Sequence, residues 1–123
     1  MHLFWGKVVH GKKRGKSLGY PTANLRLHKI VPEGVYISKT KFDKKWHKSV
    51  SFIGASKTFG AVEVMGETYI FDFNRNMYGK WISVSLLKKL RDNKKFTSSE
   101  ELIRRIKKDK QEAVKYFNKH TLS

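Results

Sequence analysis

Short bursts of strand-forming residues are the feature that most limits how this chain can fold. Up to about residue 90, Val, Ile, Thr and aromatic residues come in short runs separated by Gly, Pro, Asn or Lys clusters, a pattern typical of β-strands. Beyond Arg91, Lys, Arg, Glu and Leu dominate instead, as in a helix. Six strands are predicted, over residues 3–9, 34–40, 49–54, 61–64, 68–73 and 80–87. Six short strands favour an antiparallel barrel or sandwich.

Two local patterns add detail to this prediction. Residues 74–79 contain Asn and Gly, which tolerate positive φ, so the last two strands are predicted to pair as a hairpin. Residues 97–101 contain a Ser or Thr followed three residues later by Glu, which is a capping box. This predicts a helix over about 98–118, with one apolar stripe that packs on the sheet. The stripe comprises Leu102, Ile103, Ile106, Ala113, Val114 and Phe117.

Composition limits the function and the surroundings. The 27 Lys and Arg against 10 Asp and Glu give a net charge of +17, which attracts nucleotides, nucleic acids or anionic lipid. Cys is absent, so disulfides, thiolate nucleophiles and cysteine-bound zinc are excluded. The apolar runs are far shorter than the roughly 20 residues of a membrane span, and the first residues do not resemble a signal peptide. We expect a cytoplasmic protein with no membrane partner and one domain, residues 1–123.

The first forty residues contain an unusual glycine spacing. Gly11, Gly15 and Gly19 are interleaved with Lys and Arg, so backbone amides and cations could surround an anion. The match to a Walker loop fails, because three residues rather than four separate Gly11 from Gly15 and Pro21 follows too soon for a helix. A solvated basic loop is the alternative interpretation.

A stiff loop is predicted next, in which Pro21 fixes φ and restricts the residue before it. Thr22 and Asn24 lie two positions apart, so on an extended backbone their oxygens face the same side. A hard cation prefers such oxygen ligands. A polar turn without a ligand is the alternative.

Among the carboxylates, those within or beside the aromatic strands are the best candidates for acid–base chemistry. Glu67 precedes the aromatic segment 68–73, whose neighbouring apolar groups would desolvate it and make it a stronger base. Asp72 shares this setting, and Glu63 is a nearly equal rival of Glu67. The His residues have no ligand spacing, and no Ser has the context of a nucleophile.

These motifs, with further segments along the chain, resemble the riboflavin kinase family. The segments occur in the family's order at 6–11 (GKVVHG), 14–24 (RGKSLGYPTAN), 31–36 (VPEGVY), 53–54, 67–73 (ETYIFDF), 77–80 (MYGK), 90–91 and 95–96. The resemblance implies a mainly β fold, a six-stranded antiparallel β-barrel with a C-terminal α-helix. It also implies the reaction in which ATP phosphorylates riboflavin to give FMN and ADP.

The resemblance implies a role for each matching residue. Thr22 and Asn24 would bind the metal and the ATP phosphates, and Glu67 rather than Glu63 would be the general base. The other implied nucleotide contacts are Gly11, Lys16, Ile70, Asp72 and Tyr78, and the implied flavin contacts are Arg91, Lys94 and Phe96. The implied metal is Mg²⁺, with Zn²⁺ or Mn²⁺ as alternatives, and ATP is the co-substrate.

Two departures from the family accompany this resemblance. Tyr69 stands where the family usually has His, and Lys57 stands where Pro is common. Bacterial members commonly carry an adenylyltransferase domain that converts FMN into FAD, and 123 residues leave no room for it. We therefore expect FMN as the product of this chain. We also expect a monomer.

A small RNA-binding barrel is the alternative from a different functional class. Its basic loops would contact phosphates, and Trp5, Trp46, Trp81 or Phe residues would stack on bases. The basic residues are spread over 12–16, 39–48, 88–95 and 104–110, without the signature segment of a known RNA-binding fold. Such diffuse charge favours nonspecific RNA binding over a specific nucleic-acid partner.

Overall fold

The described part of the chain, residues 2–9, 22–58, 61–73, 75–95 and 97–120 of a computed structural model, folds into antiparallel strands and a helix. The elements are β1 (His2–Lys7), β2 (Thr22–Arg26), β3 (Gly34–Phe42), β4 (Lys45–Thr58), β5 (Ala61–Ile70), β6 (Trp81–Arg91) and α1 (Ser99–Lys119). This confirms the prediction of a mainly β fold with six strands and a C-terminal helix.

All six strands belong to one curled sheet in the order β1-β6-β3-β4-β5-β2. The two edge strands approach each other through an isolated bridge between Val9 and Asn24. The Val9 N–H donates to the Asn24 carbonyl oxygen at 2.8 Å. The curl therefore gives the sheet an inner and an outer face.

Two strand boundaries differ from the prediction. Residues 61–64 and 68–73, predicted as separate strands, belong largely to the single strand β5. Gly66, which suggested a break, is instead a point of close packing, because a Cβ atom there would lie 3.3 Å from Ile53 Cδ1 and 3.4 Å from the Phe4 ring. The stiff segment after Pro21 was expected to be a loop, but Thr22–Arg26 pairs with β5 as a strand.

The predicted hairpin between the last two strands is wrong. β5 pairs with β4 and β2, whereas β6 pairs with β1 and β3. The segment between β5 and β6 crosses from β4 to the end of β1. At its start the Phe71 N–H donates to the Lys48 carbonyl of β4, and near its end the Gly79 N–H donates to the carbonyl of Val8, which follows β1. The Asn and Gly residues of this segment thus serve a crossover rather than a tight hairpin.

The inner face of the sheet holds the main core. It is lined by apolar side chains from every strand, including Phe4, Leu25, Ile53, Ile70 and Val84. Alternation along the strands puts these residues on one face, and the pairing of β3 with β6 contains two register shifts.

A chain of buried hydroxyl groups crosses the same inner face. Hydrogen bonds of 2.7–2.9 Å link Thr40 to Ser49, Ser49 to Ser38, Ser38 to Ser51, and Ser51 to Thr68. Each buried hydroxyl thereby has a partner, which removes the cost of desolvating it. These bonds connect β3, β4 and β5 and hold their register.

Helix α1 begins at the predicted capping box and covers part of the outer face. The Glu101 N–H donates to Ser98 Oγ at 3.1 Å, and the Thr97 hydroxyl donates to the Glu101 carboxylate at 2.8 Å. Ala113 and Phe117 pack with the sheet, whereas Val114, predicted in the apolar stripe, is 40% exposed. None of the described helices has the length and apolar character needed to cross a membrane.

Candidate active site

Strands β2 and β5 bring together the two motifs that the sequence singled out separately. Asn24 lies directly opposite Glu67, and Thr22 lies directly opposite Tyr69. Directly opposed residues of antiparallel strands point to the same face, with Cβ atoms about 5 Å apart. All four side chains therefore share the outer face, on the opposite side of the sheet from the main core.

Glu67 lies between a polar and an apolar neighbour. Asn24 is next to it on β2, and Phe52 is next to it on β4. The carboxylate residue is 9% exposed and Asn24 is 5% exposed, so water reaches this pair only in part. Partial desolvation strengthens every charge interaction formed there.

Tyr69 supplies a hydrogen bond that the sequence analysis missed. Its hydroxyl donates to Glu67 Oε1 at 2.6 Å, and its ring packs against Phe52 with centroids 4.9 Å apart. A hydrogen bond from a hydroxyl to an ionised carboxylate is short and comparatively strong. The two-residue spacing along a strand was a signal that Tyr69 and Glu67 share a face.

The rival carboxylate, Glu63, has a different environment. It is further along β5, where its side chain pairs with Arg26 at 3.9 Å and is 40% exposed. Four residues along a strand correspond to about 13 Å, so Glu63 lies away from the Asn24 position. The pairing of β2 with β5 therefore favours Glu67 as the carboxylate of the candidate site.

The donor set at Thr22 and Asn24 fits a hard divalent cation. A hydroxyl oxygen, an amide oxygen and a nearby carboxylate match the oxygen ligands that Mg²⁺ prefers, usually together with substrate phosphates. Among the described residues no three His, Cys, Asp or Glu side chains form a metal-binding group. A metal at this place would thus depend on Thr22, Asn24 and phosphate oxygens.

The other predicted nucleotide contacts are dispersed. Ile70 is completely buried in the inner core, on the opposite side of β5 from Glu67. Asp72 is exposed in the turn after β5 with φ 52°, and Tyr78 is 53% exposed near the end of the crossover. Gly11 and Lys16 lie outside the described residues.

The predicted flavin contacts lie around the end of β6. The Arg91 guanidinium forms two hydrogen bonds to the Asp109 carboxylate of α1, at 2.9 and 2.7 Å. Lys94 Nζ lies 3.6 Å from Glu101 Oε1, and Phe96 is outside the described residues. Asn93, which sequence reasoning did not select, ties this segment to β4 by donating to the Ile53 carbonyl at 2.9 Å.

A cavity of about 340 Å³ lies elsewhere, between the sheet and the end of α1. Its lining includes Ile37, Lys88, Leu90, Tyr116 and Lys119. None of its lining residues belongs to the Glu67 site, so we place the candidate chemistry on the β2–β5 pair and not in this cavity.

Comparison with known proteins identifies the family of the chain. The family described as "Flavokinase: Riboflavin kinase" matches residues 1–117. The chain belongs to the riboflavin kinase family. The resemblance drawn from the sequence motifs is thereby confirmed.

Relatives in this family are longer than the chain. The bifunctional riboflavin kinase/FMN adenylyltransferase of Bacillus subtilis (strain 168) is 39% identical over 119 residues, which cover 92% of this chain and 38% of that protein. The protein of the same name from Haemophilus influenzae is 36% identical over 120 residues, 95% of this chain and 39% of that protein. The chain spans less than two fifths of the length of either relative.

A solved structure shares the fold over nearly the whole chain. It is the crystal structure of riboflavin kinase from Trypanosoma brucei, with 26% sequence identity and a TM-score of 0.66. The similarity covers 98% of this chain and 82% of that one. It supports the riboflavin kinase architecture, in which one curled antiparallel sheet carries a helix on its outer face.

Proposed function

We propose that the chain is a riboflavin kinase, which transfers the γ-phosphoryl group of ATP to the terminal ribityl hydroxyl of riboflavin and releases FMN and ADP. The observation that carries this proposal is the direct pairing of Asn24 with Glu67. Because of this pairing, the Asn24 side chain, which would bind on the phosphate side of the substrate, lies beside the Glu67 carboxylate on one partly desolvated surface. Family membership supplies the substrate class.

Glu67 is the general base of the proposed reaction. With Oε1 engaged by the Tyr69 hydroxyl, Oε2 remains to accept the proton of the ribityl hydroxyl as its oxygen attacks phosphorus. The bond between the γ-phosphorus and the bridging oxygen breaks, and the electron pair leaves with ADP. Such a reaction depends mainly on positioning and charge neutralisation.

Thr22 and Asn24 orient the triphosphate in this proposal. Their oxygens would hold Mg²⁺, which neutralises phosphate charge during transfer when it is bound. Zn²⁺ and Mn²⁺ are alternatives with the same oxygen donors. Gly11, Lys16 and Tyr78 would complete the nucleotide site, as the family resemblance implies.

One row of residues across the outer face supports a placement for riboflavin. Asn24, Glu67, Phe52, Val35 and Arg91 are successive partners across β2, β5, β4, β3 and β6. Neighbouring strands are about 4.8 Å apart, so Glu67 and Arg91 are separated by about 14 Å along the sheet. The flavin ring would lie above the half-buried Phe52, between the base and the end of β6.

The remaining features of the proposal concern the protein as a whole. Riboflavin and ATP are the substrates and FMN and ADP the products of one domain that acts as a monomer. Action in the cytoplasm is part of this proposal.

Product analysis tests the proposal. The purified protein is incubated with riboflavin, ATP and Mg²⁺, and the flavins are separated by chromatography, with controls that lack metal or ATP. We expect FMN and ADP in equal amounts, only in the complete mixture. Unchanged riboflavin with each of Mg²⁺, Mn²⁺ and Zn²⁺ would contradict the proposal.

A further inference from the structure

The outer face of the sheet has a second surface, which on β3 and β4 lies six residues along the strands from the row that contains Glu67. Strand pairing puts Trp5, Ser83, Lys41 and Trp46 in one row across β1, β6, β3 and β4. In the adjoining row, Lys7 lies opposite Trp81. Three strand spacings separate Trp5 from Trp46, about 14 Å along the sheet.

We name this surface the Trp–Lys face and define it by Trp5, Lys7, Lys39, Lys41, Trp46 and Trp81. It holds all three Trp residues of the chain, although they are far apart in sequence. The sequence analysis considered these residues as base-stacking candidates but could not tell that they share one surface.

Two of the Trp side chains are exposed to an unusual degree. Trp5 is 64% exposed and Trp81 is 67% exposed. A large aromatic side chain normally stabilises a protein by being buried. Two exposed Trp side chains on neighbouring strands do not contribute this stabilisation. Contiguous exposed apolar surface of this kind marks an interaction site.

The charges on the same surface are all positive. Lys39 Nζ lies 4.6 Å from the centroid of the Trp46 ring, and Lys41 Nζ lies 5.9 Å from it. No Asp or Glu occupies a position in these rows of described residues. Asp43, in the turn beyond them, pairs with Arg75 at 3.8 Å.

We propose that the Trp–Lys face binds single-stranded nucleic acid, with bases stacked on Trp5 and Trp81 and phosphates held by Lys7, Lys39 and Lys41. Proteins that bind single strands without sequence preference combine exposed aromatic rings, on which bases stack, with basic side chains that bind the phosphates. Lys39 already lies over Trp46, so that ring positions a cation for phosphate. This activity is additional to the kinase reaction and does not depend on it.

The alternation of Trp with Lys favours a nucleic acid over a lipid surface. Inserting this face into a bilayer would bury Lys41 together with Trp5, because they are on the same row, and desolvating an ammonium group is costly. A nucleic-acid strand instead offers a base for each ring and a phosphate for each cation.

The test measures binding of short fluorescein-labelled oligouridylate and oligothymidylate by anisotropy, together with the intrinsic Trp fluorescence of the protein. Because every Trp lies on the proposed surface, stacking should quench that fluorescence directly. We expect both oligonucleotides to bind, with affinity that falls as salt increases. A duplex of the same length should bind more weakly, since its bases are already stacked.

Variants distinguish binding at the Trp–Lys face from nonspecific attraction by the net charge. We expect Trp5→Ala and Trp81→Ala each to weaken binding about tenfold. The pair Lys7→Glu with Lys41→Glu should weaken it far more than Lys107→Glu with Lys108→Glu on the exposed side of α1, although both pairs change the net charge equally. Unchanged thermal unfolding midpoints confirm that all variants fold.

Several results would overturn the proposal. Equal losses in the two Lys pairs, or no loss in the Trp variants, would mean that charge alone attracts the oligonucleotide. Heparin, which has charge but no bases, should not quench Trp fluorescence, and equal quenching by heparin would contradict stacking. Displacement of the oligonucleotide by phosphatidylglycerol vesicles that shift the Trp emission would identify a lipid surface instead.

Discussion

At the scale of single residues, the hydrogen bond from Tyr69 orients the Glu67 carboxylate, the general base of the proposed reaction. A carboxylate held at Oε1 by a 2.6 Å bond has fewer orientations, and its second oxygen faces a defined direction. Precise orientation of a reacting group contributes to catalysis, because the group has already lost its orientational entropy before the reaction begins. Tyr69 is therefore a positioning residue in the proposed reaction.

Removing the Tyr69 hydroxyl tests this role. We expect Tyr69→Phe to lower kcat about tenfold, the order of one hydrogen bond to a charged group, while KM for riboflavin changes little. The ring and its packing on Phe52 remain, so a purely structural role would leave kcat unchanged. Tyr69→His, which restores a donor and the residue common in the family, should recover most of the rate.

The metal assignment is tested at Asn24. We expect Asn24→Ala to raise the Mg²⁺ concentration needed for half-maximal activity, because one of the two protein oxygen ligands is lost. Asn118→Ala, on the exposed side of α1, is the matched control. An unaltered metal titration of the Asn24 variant would count against its role as a ligand.

Sequence reasoning at this scale found the residues but not their neighbours. Thr22, Asn24 and Glu67 carry recognisable chemistry in the sequence itself. Their proximity depends on the pairing of β2 with β5, which brings together residues about forty positions apart and has no local signal. The hydrogen bond from Tyr69 to Glu67 has a local signal, because residues two positions apart on a strand point to the same face.

At the scale of elements, Arg91 and Asp109 fasten β6 to α1. The Asp109 side chain is 1% exposed and that of Arg91 is 12% exposed, and they form a two-pronged ion pair. Arg105 adds a contact at 3.4 Å. A buried charge that loses its partner is strongly destabilising, so this pair fixes the helix on the sheet.

The variant Asp109→Asn measures how much the ion pair with Arg91 contributes to stability. We expect a loss of about 3 kcal/mol in the free energy of unfolding, since the Arg91 charge would remain buried without its counterion. Urea denaturation gives the value, with the exposed Glu112→Gln as the control on the same helix. If the free energies of unfolding of the two variants were equal within experimental error, the ion pair would contribute no net stability.

The β3–β4 hairpin contains a titratable group with a clear direction. Burial, followed by the nearby positive charges of Lys45 and Arg75, lowers the pKa of His47 below its usual 6.5. As pH falls through 6.5, the unfolded chain therefore takes up the proton first, and the folded state loses stability. Above that pH both states hold neutral His47, and this contribution is fully present.

Thermal unfolding at two pH values tests the His47 contribution. We expect the unfolding midpoint to fall between pH 7.5 and 5.5, and to fall less in His47→Gln. This window lies above the ordinary pKa values of 3.8 and 4.5 for Asp92 and Glu101, whose pKa values are lowered further by hydrogen bonds to Lys89 and Thr97. Identical shifts in the two proteins would exclude His47 as the source.

Elements with local signals were predicted well, and elements defined by distant partners were not. The capping box located the start of α1 because its hydrogen bonds, from Glu101 to Ser98 and from Thr97 to Glu101, lie within one turn. By contrast, the partner of β6 was wrongly predicted. Asn and Gly in 74–79 permit a turn, but the backbone bond from Gly79 to Val8 depends on a strand some seventy residues earlier.

For the whole molecule, the curled sheet separates two uses of one outer face. Strands β2 and β5 carry the candidate catalytic groups, whereas β1, β6 and the ends of β3 and β4 beside their connecting turn carry the Trp–Lys face. The net charge of +17 predicted an anionic partner without indicating where it would bind. The strand order supports the proposed location, because it brings Lys7 of β1 and Lys39 and Lys41 of β3 to the same surface as Trp5 and Trp81.

The measurement that tests the central claim most directly compares Glu67→Gln with Glu63→Gln in single-turnover formation of FMN. Both variants replace a carboxylate of β5 by its amide, but only Glu67 faces Asn24. We expect Glu67→Gln to lower the rate by about 10²–10⁴-fold, the range for losing a general base, while riboflavin and ATP still bind. Glu63→Gln should retain nearly the full rate. A Glu67 variant as fast as the unmodified protein, or a Glu63 variant equally impaired, would contradict the account.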